Sequence, residues 1–194
     1  MNESEIQQID ENDRDFLLKL ARKTIEKQSK NGIITSQEID RLSASLKENR
    51  GCFVTLTINN NLRGCIGYIL PVASLYKAVV DNAYNAAFSD PRFSPVSEDE
   101  VKKLHIEISV LTVPSKLEYN GKEDLLKKLV PFKDGLIIKK GFYSSTFLPQ
   151  VWDQLPEKED FLGHLCLKAG LNPDEWEKGT LEIERYYTEI FEEE

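Results

Sequence analysis

Between residues 13 and 30 the apolar positions Phe16, Leu17, Leu20, Ala21 and Ile25, with Thr24, recur at helical spacing. That spacing predicts an amphipathic helix, which Asn31-Gly32 stops. Residues 1–12 lack the pattern and read as a polar leader. Ser36, Glu38 and Ile39 open a further short turn. The pattern then changes to alternation. Cys52-Phe53-Val54-Thr55-Leu56-Thr57-Ile58 is rich in β-branched and aromatic types and predicts a strand. Asn59-Asn60-Asn61 reads as a turn and residues 62–69 as the returning strand of a hairpin.

The register follows from the pattern. With a three-residue turn, Ile58 opposes Leu62, Leu56 opposes Gly64, Val54 opposes Ile66 and Cys52 opposes Tyr68, all on one apolar face. The other face pairs Thr57 with Arg63, Thr55 with Cys65 and Phe53 with Gly67. A slip of one residue would mix the two sets.

Downstream, Pro71 opens a helix over 72–88 whose Leu75, Val79, Ala83, Ala86 and Ala87 share a face. Ser89-Asp90-Pro91-Arg92-Phe93-Ser94-Pro95 ends it as an extended loop. Ser97 with Glu100 is a capping-box pattern for a short helix to about Leu104. Residues 105–113 alternate, with Ile106, Ile108 and Val110 on the apolar side. A helix over 121–129, strands at 136–140 and 142–147 turning at Gly141, a helix over 159–169 and a closing strand over 180–191 follow. Most connections are too short for parallel crossovers. The expected class is α+β, with a mainly antiparallel or mixed sheet and packed helices in two lobes. Residues 13–194 form one domain, in which 115–170 make a smaller lobe before the last strand returns to the main sheet.

Composition narrows the function classes. The 194 residues are 40% hydrophobic and 30% charged, which suits a folded protein. No apolar run approaches the ~20 residues of a membrane helix, and no signal-type segment opens the chain. Three cysteines, Cys52, Cys65 and Cys166, form an odd set that points to reduced thiols and a cytoplasmic location. The metal-ligand spacings of structural zinc sites are missing, and no metal or cofactor is expected. A net charge of −8 disfavours nucleic acid as a partner.

The candidate chemistry lies on the second hairpin strand. Arg63 and Cys65 sit two apart on its more polar face, where a guanidinium favours the nucleophilic thiolate. Gly64 and Gly67 weaken the strand and mark a bulge or a close approach of backbone to a ligand. Arg92 follows Asp90 in the nearby loop and is either an anion clamp or a salt-bridge partner of Asp90. Glu107 is a candidate carboxylate base or partner of Arg63. His105 reads as a strand-entrance residue, His164 as a helix residue without a partner, Cys166 as core, and Trp152 and Trp176 as packing between lobes.

Leu62-Arg63-Gly64-Cys65-Ile66-Gly67 is identical to the hallmark hexapeptide of the AMMECR domain family, which the chain resembles over residues 13–190. Gly51 to Leu56, Ala86 to Phe93, Ile106 to Leu111 and Leu148 to Val151 also resemble the family's pattern in order. The resemblance implies a two-lobed α+β fold and no particular reaction. Relatives fused to, or encoded beside, Memo-type metalloproteins and radical SAM proteins make those two types the implied partners. Many relatives carry a histidine where this chain has Asp134. Two functions compete: an enzyme using Cys65 on a small anionic substrate, and a non-catalytic module binding a small ligand or a partner protein.

Overall fold

The computed structural model describes residues 9–194, so most of the expected leader lies outside the described residues. The elements run α1 (Glu11–Glu26), α2 (Ser36–Asp40), α3 (Ala44–Lys47), β1 (Cys52–Ile58), β2 (Asn61–Tyr68), α4 (Leu75–Phe88), α5 (Glu98–Val101) and β3 (His105–Leu111). There follow β4 (Ser115–Lys116), α6 (Gly121–Lys128), β5 (Gly135–Lys140), β6 (Tyr143–Phe147), α7 (Lys158–Lys168), β7 (Glu182–Tyr186) and β8 (Thr188–Glu192). The class is α+β, with two four-stranded sheets. Among the described residues no helix is long and apolar enough to cross a membrane.

The chain divides into two compact units. The first runs to Thr112 and regains Glu189–Glu194. Its sheet has the order β2-β1-β3-β8. Cys52, Val54 and Leu56 of β1 and Ile106, Ile108 and Val110 of β3 point to one side. There they meet Leu17, Ala21 and Ile25 of α1 and Leu75, Val79, Ala83, Ala86 and Ala87 of α4. Small alanine side chains bring α4 close to the strands. The burial of these faces supplies the main stabilisation, at ~25 cal/mol per Å² of apolar surface.

Local chemistry sets the ends of α1. Asp10 caps it, its carboxylate accepting from the Asp13 N–H at 2.8 Å, and Ile9 is buried in the core. Residues 9–12 are therefore built into the fold rather than part of a loose leader. The helix ends at Glu26, before the expected stop, because Gln28 adopts φ 47°. Arg22 fastens α1 to the carbonyl oxygens of Val101 (2.7 Å) and Leu104 (2.8 Å) and to Glu193.

The second unit spans Val113–Thr188, with sheet order β4-β7-β5-β6. The expected closing strand over 180–191 is two strands: β7 belongs to this sheet and β8 to the first. One continuous alternating run thus serves two cores. Leu136, Ile138 and Ile183 pack against Phe161, Leu162, Leu165 and Cys166 of α7. Trp152 stacks on Phe161 with centroids 3.7 Å apart, and both tryptophans belong to this core. They pack within one unit, in contrast to the expectation that they join lobes. Large apolar side chains prefer the densest available core, and here it is local.

Asp134 is fully buried. Its backbone carbonyl accepts from the Trp152 indole at 2.7 Å, and Oδ2 accepts from the Val130 N–H at 2.8 Å. Oδ1 has no partner, and Arg185 stands 3.8 Å from Oδ2. Burial raises the carboxyl above the usual aspartate range, opposed by the Val130 bond and by Arg185, Lys133 and Lys158. A raised folded pKa means that the carboxyl's contribution to stability is complete below the unfolded pKa of ~4 and is lost as pH rises through the folded one. Urea unfolding followed by tryptophan fluorescence, which reports this unit alone, is expected to show Asp134→Asn gaining on the wild type as pH rises from 4 to 8. Parallel pH profiles would refute this role for Asp134.

Candidate functional site

The hairpin differs from its expected form at the turn. Asn59 and Asn60 have φ 51° and 63°, the left-handed pair of a two-residue turn whose twist matches the strands. Ile58 therefore pairs with Asn61 and Thr57 with Leu62, not with Leu62 and Arg63. From Leu56↔Gly64 through Cys52↔Tyr68 the pairs agree with the sequence pattern. One extra residue, Arg63, accommodates the difference as a bulge between Leu56 and Thr57. Without it, every later side chain would change face.

The bulge takes Arg63 out of the alternation. Its Nε and Nη2 grip the two Glu100 carboxylate oxygens at 2.7 and 3.0 Å, and Nη2 also reaches the Pro95 carbonyl at 3.3 Å. Glu100 is the far member of the Ser97 capping box, accepting from the Ser97 N–H at 2.9 Å. Arg63 first, and Ser97 second, hold its carboxyl down to about 2. Arg63 thus ties the hairpin to α5 through its Nε–Nη2 edge, while its buried Nη1 has no hydrogen-bond partner among the described residues.

The loop residues close on Cys65. It stands on an edge strand, and Asp90 Oδ2 accepts its N–H at 2.9 Å while Arg92 Nη2 donates to its carbonyl at 3.0 Å. Arg92 also grips Asp90 through Nε (3.0 Å) and Nη2 (2.7 Å). Arg92 holds the buried Asp90 carboxyl well below the usual range, with backbone bonds from Cys65 and Arg92 adding to the effect. The Arg63 and Arg92 guanidinium groups are therefore both paired with carboxylates of the fold along one edge.

The two glycines face protein. A Cβ on Gly64 would stand 2.1 Å from the Ala86 carbonyl oxygen of α4, and one on Gly67 would meet the Phe53 ring at 2.4 Å. Their close approach is to a helix backbone and an aromatic ring.

Cys65 itself lies on the side of the sheet away from α1 and α4, and it is partly exposed. Thr55, directly opposite on β1, donates its hydroxyl to the sulfur at 3.4 Å. Glu107, directly opposite Thr55 on β3, completes the row Cys65–Thr55–Glu107. The backbones of Cys65 and Glu107 are two strand spacings apart, roughly 10 Å. His105 stands opposite Thr57, and its Nε2 lies 3.0 Å from Glu192. Thr55, Thr57, Asn59, Asn60, His105, Glu107 and Glu192 line a groove of about 510 Å³. Burial raises the Glu107 carboxyl, the Glu192 charge adds to the rise, and His105 opposes it.

The other thiols are enclosed. Cys52 is fully buried and pushed up to about 12 by burial, with Asn82 Nδ2 3.3 Å from its sulfur. Cys166 is buried, and burial raises it too. His164 bonds the Asp160 carbonyl within its own helix at 2.9 Å. Among the described residues no three His, Cys, Asp or Glu side chains converge as a metal site.

Thr55, Thr57 and Glu192 were not singled out from the sequence. Alternation put both threonines on the polar face of β1, but the apposition of Thr55 to Glu107 and of Thr57 to His105 needs the β1–β3 pairing, which no local pattern encodes.

A family model, AMMECR1, matches residues 18–191. The chain is 45% identical to the protein Mbar_A1807 of Methanosarcina barkeri over 179 residues, covering 91% of this chain and 88% of that one. It is 42% identical to the protein PYRAB00100 of Pyrococcus abyssi over 190 residues, covering 93% and 90%. Among solved structures it resembles the crystal structure of the uncharacterized protein PH0010 from Pyrococcus horikoshii. There the TM-score is 0.74 at 40% identity, covering 92% of this chain and 90% of that one.

Gly64→Ala is expected to lower stability by about 2 kcal/mol or more, since the clash is with backbone and α4 must shift. Chemical denaturation followed by circular dichroism measures this, and an unchanged midpoint would show that the helix yields freely.

Proposed function

Because the chain belongs to the AMMECR1 family, whose name specifies no reaction, we propose from the site itself that it is an enzyme acting through Cys65 on a small polar molecule. The row Cys65–Thr55–Glu107 carries this reading. It sets a nucleophile, a hydroxyl donor and a carboxyl of raised proton affinity along one accessible face.

The chemistry supported is thiol addition. The Cys65 proton passes to the Glu107 carboxylate through solvent or substrate, and the sulfur bonds to an electrophilic carbon. The π pair of that carbon's double bond moves to its heteroatom, which takes the proton back from Glu107. The step is balanced and reversible, and it needs no further reactant. The Thr55 hydroxyl stabilises the thiolate by donating to it. A carboxyl whose proton affinity is raised by burial is better suited to taking up and returning a proton than an ordinary glutamate. Asp90 and Arg92 fix the strand at the reacting residue, so the sulfur is held by the backbone on one side and Thr55 on the other.

A second reading, a non-catalytic module for a small ligand or for a Memo-type or radical SAM partner, is supported by the structural employment of Arg63, Asp90 and Arg92. The two differ at the thiol. In the module, Cys65→Ser is silent.

Brief alkylation of the native protein with iodoacetamide at neutral pH, read by peptide mass spectrometry, is expected to modify Cys65 and to spare Cys52 and Cys166. Thr55→Val is expected to slow this by roughly three- to tenfold, the rate equivalent of about 1 kcal/mol for a lost hydrogen bond to the thiolate. Labelling of Cys65 no faster than of the two buried thiols would defeat the enzyme reading.

A further inference from the structure

We infer that the groove beside Cys65 takes a cationic ligand, a small primary amine whose electrophilic carbon reaches the thiol. This rests on the proposed role of Cys65 and assigns a substrate class to the same face. It departs from an anionic substrate for a geometric reason. The two nearby arginines, Arg63 and Arg92, each already pair with a carboxylate of the fold, Glu100 and Asp90, and neither lines the groove.

The groove has the opposite character. No lysine or arginine is among the described residues that line it, whereas Glu107 and Glu192 both are. The one basic group, His105, is engaged by Glu192 at 3.0 Å. Among the described residues no hydrogen bond reaches the Glu107 carboxyl, which is both partly buried and placed near a like charge. A carboxyl in that setting is relieved by an incoming cation, which replaces lost solvation with a direct partner. Thr55 and Thr57 add hydroxyls that accept from an ammonium group. The concave space of about 510 Å³ suits a small molecule.

The row also sets the length. A ligand that touches Glu107 and reaches the sulfur spans two strand spacings, roughly 10 Å at the backbone, so only a few bonds separate its ammonium from its reactive carbon. The ligand class is therefore a short amine with its reactive carbon a few bonds from the nitrogen.

Thiol–disulfide exchange with three symmetric probes of similar size separates the claims. These are cystamine (cationic), bis(2-hydroxyethyl) disulfide (neutral) and 3,3′-dithiodipropionate (anionic). In each, the Cys65 thiolate attacks one sulfur, a new S–S bond forms, and the other half leaves as its thiolate with the bonding pair. Rates are read at Cys65 by mass spectrometry in the full chain. The expected order is cation, neutral, anion, with cystamine about tenfold or more ahead of the anion at low salt. Glu107→Gln with Glu192→Gln is expected to cut that ratio roughly tenfold or more, because each carboxylate, at ~10 Å in water, favours the cation and disfavours the anion by about twofold apiece. Glu26→Gln, an exposed change on α1, leaves the ratio unchanged and controls for net charge. Should the double variant fail to fold, Glu192→Gln alone lowers the ratio by about half as much on a logarithmic scale. Failure of all three probes to exchange at Cys65 overturns the thiol reading beneath the inference. Exchange at equal rates, or a cation preference untouched by the glutamine variants, overturns the ligand class and leaves the thiol reading standing.

Discussion

An edge strand presents backbone N–H and C=O groups with no neighbouring strand to receive them, and unpaired they invite association with other chains. At Cys65 those two groups are taken by Asp90 and Arg92, which also grip each other. Much follows from this clamp. It fixes the edge of the first sheet at the one cysteine that is not buried, and it binds the loop after α4 to the hairpin. It employs charged residues that otherwise resemble an anion site. Because neither group of Cys65 is turned toward β1, it faces Thr55 as a non-hydrogen-bonded pair, in which side chains stand closest. The sulfur–hydroxyl contact at 3.4 Å is thus a consequence of the backbone arrangement.

The hexapeptide divides its labour along the same lines. Gly64 exists for α4, Gly67 for the Phe53 ring, and Arg63 for Glu100. Cys65 is the member whose side chain remains for chemistry. A motif of this kind looks uniformly functional when read as a string, yet most of it is the support that aims one atom.

The sequence revealed the short-range half of this arrangement. Alternation in residues 52–58 gave the two faces of β1, and the apolar set Leu56–Gly64, Val54–Ile66 and Cys52–Tyr68 gave the pairs away from the turn. The turn itself was misread because three successive asparagines are equally tolerant of left-handed backbone. Only the strand twist chooses the first two. The glycines hinted at a bulge in β2, but its place at Arg63 could not be read, since it exists to reconcile a two-residue turn with the apolar faces. The long-range half lay outside any local pattern. The apposition of Thr55 to Glu107 depends on pairing across some fifty residues. The division of residues 180–191 between two sheets depends on which core each half completes. Asp90 and Arg92 were recognisable as a salt bridge, but their grip on the Cys65 backbone needed the edge position of β2.

The shared face of Cys65 and Glu107 is the central claim. A carbon-13 NMR titration of the Glu107 carboxyl, before and after alkylation of Cys65, tests it most directly. The carboxyl is predicted to titrate above the ordinary glutamate range, and its midpoint to move once the sulfur carries a neutral adduct. An ordinary midpoint that is indifferent to the adduct would show that the two groups do not share a site.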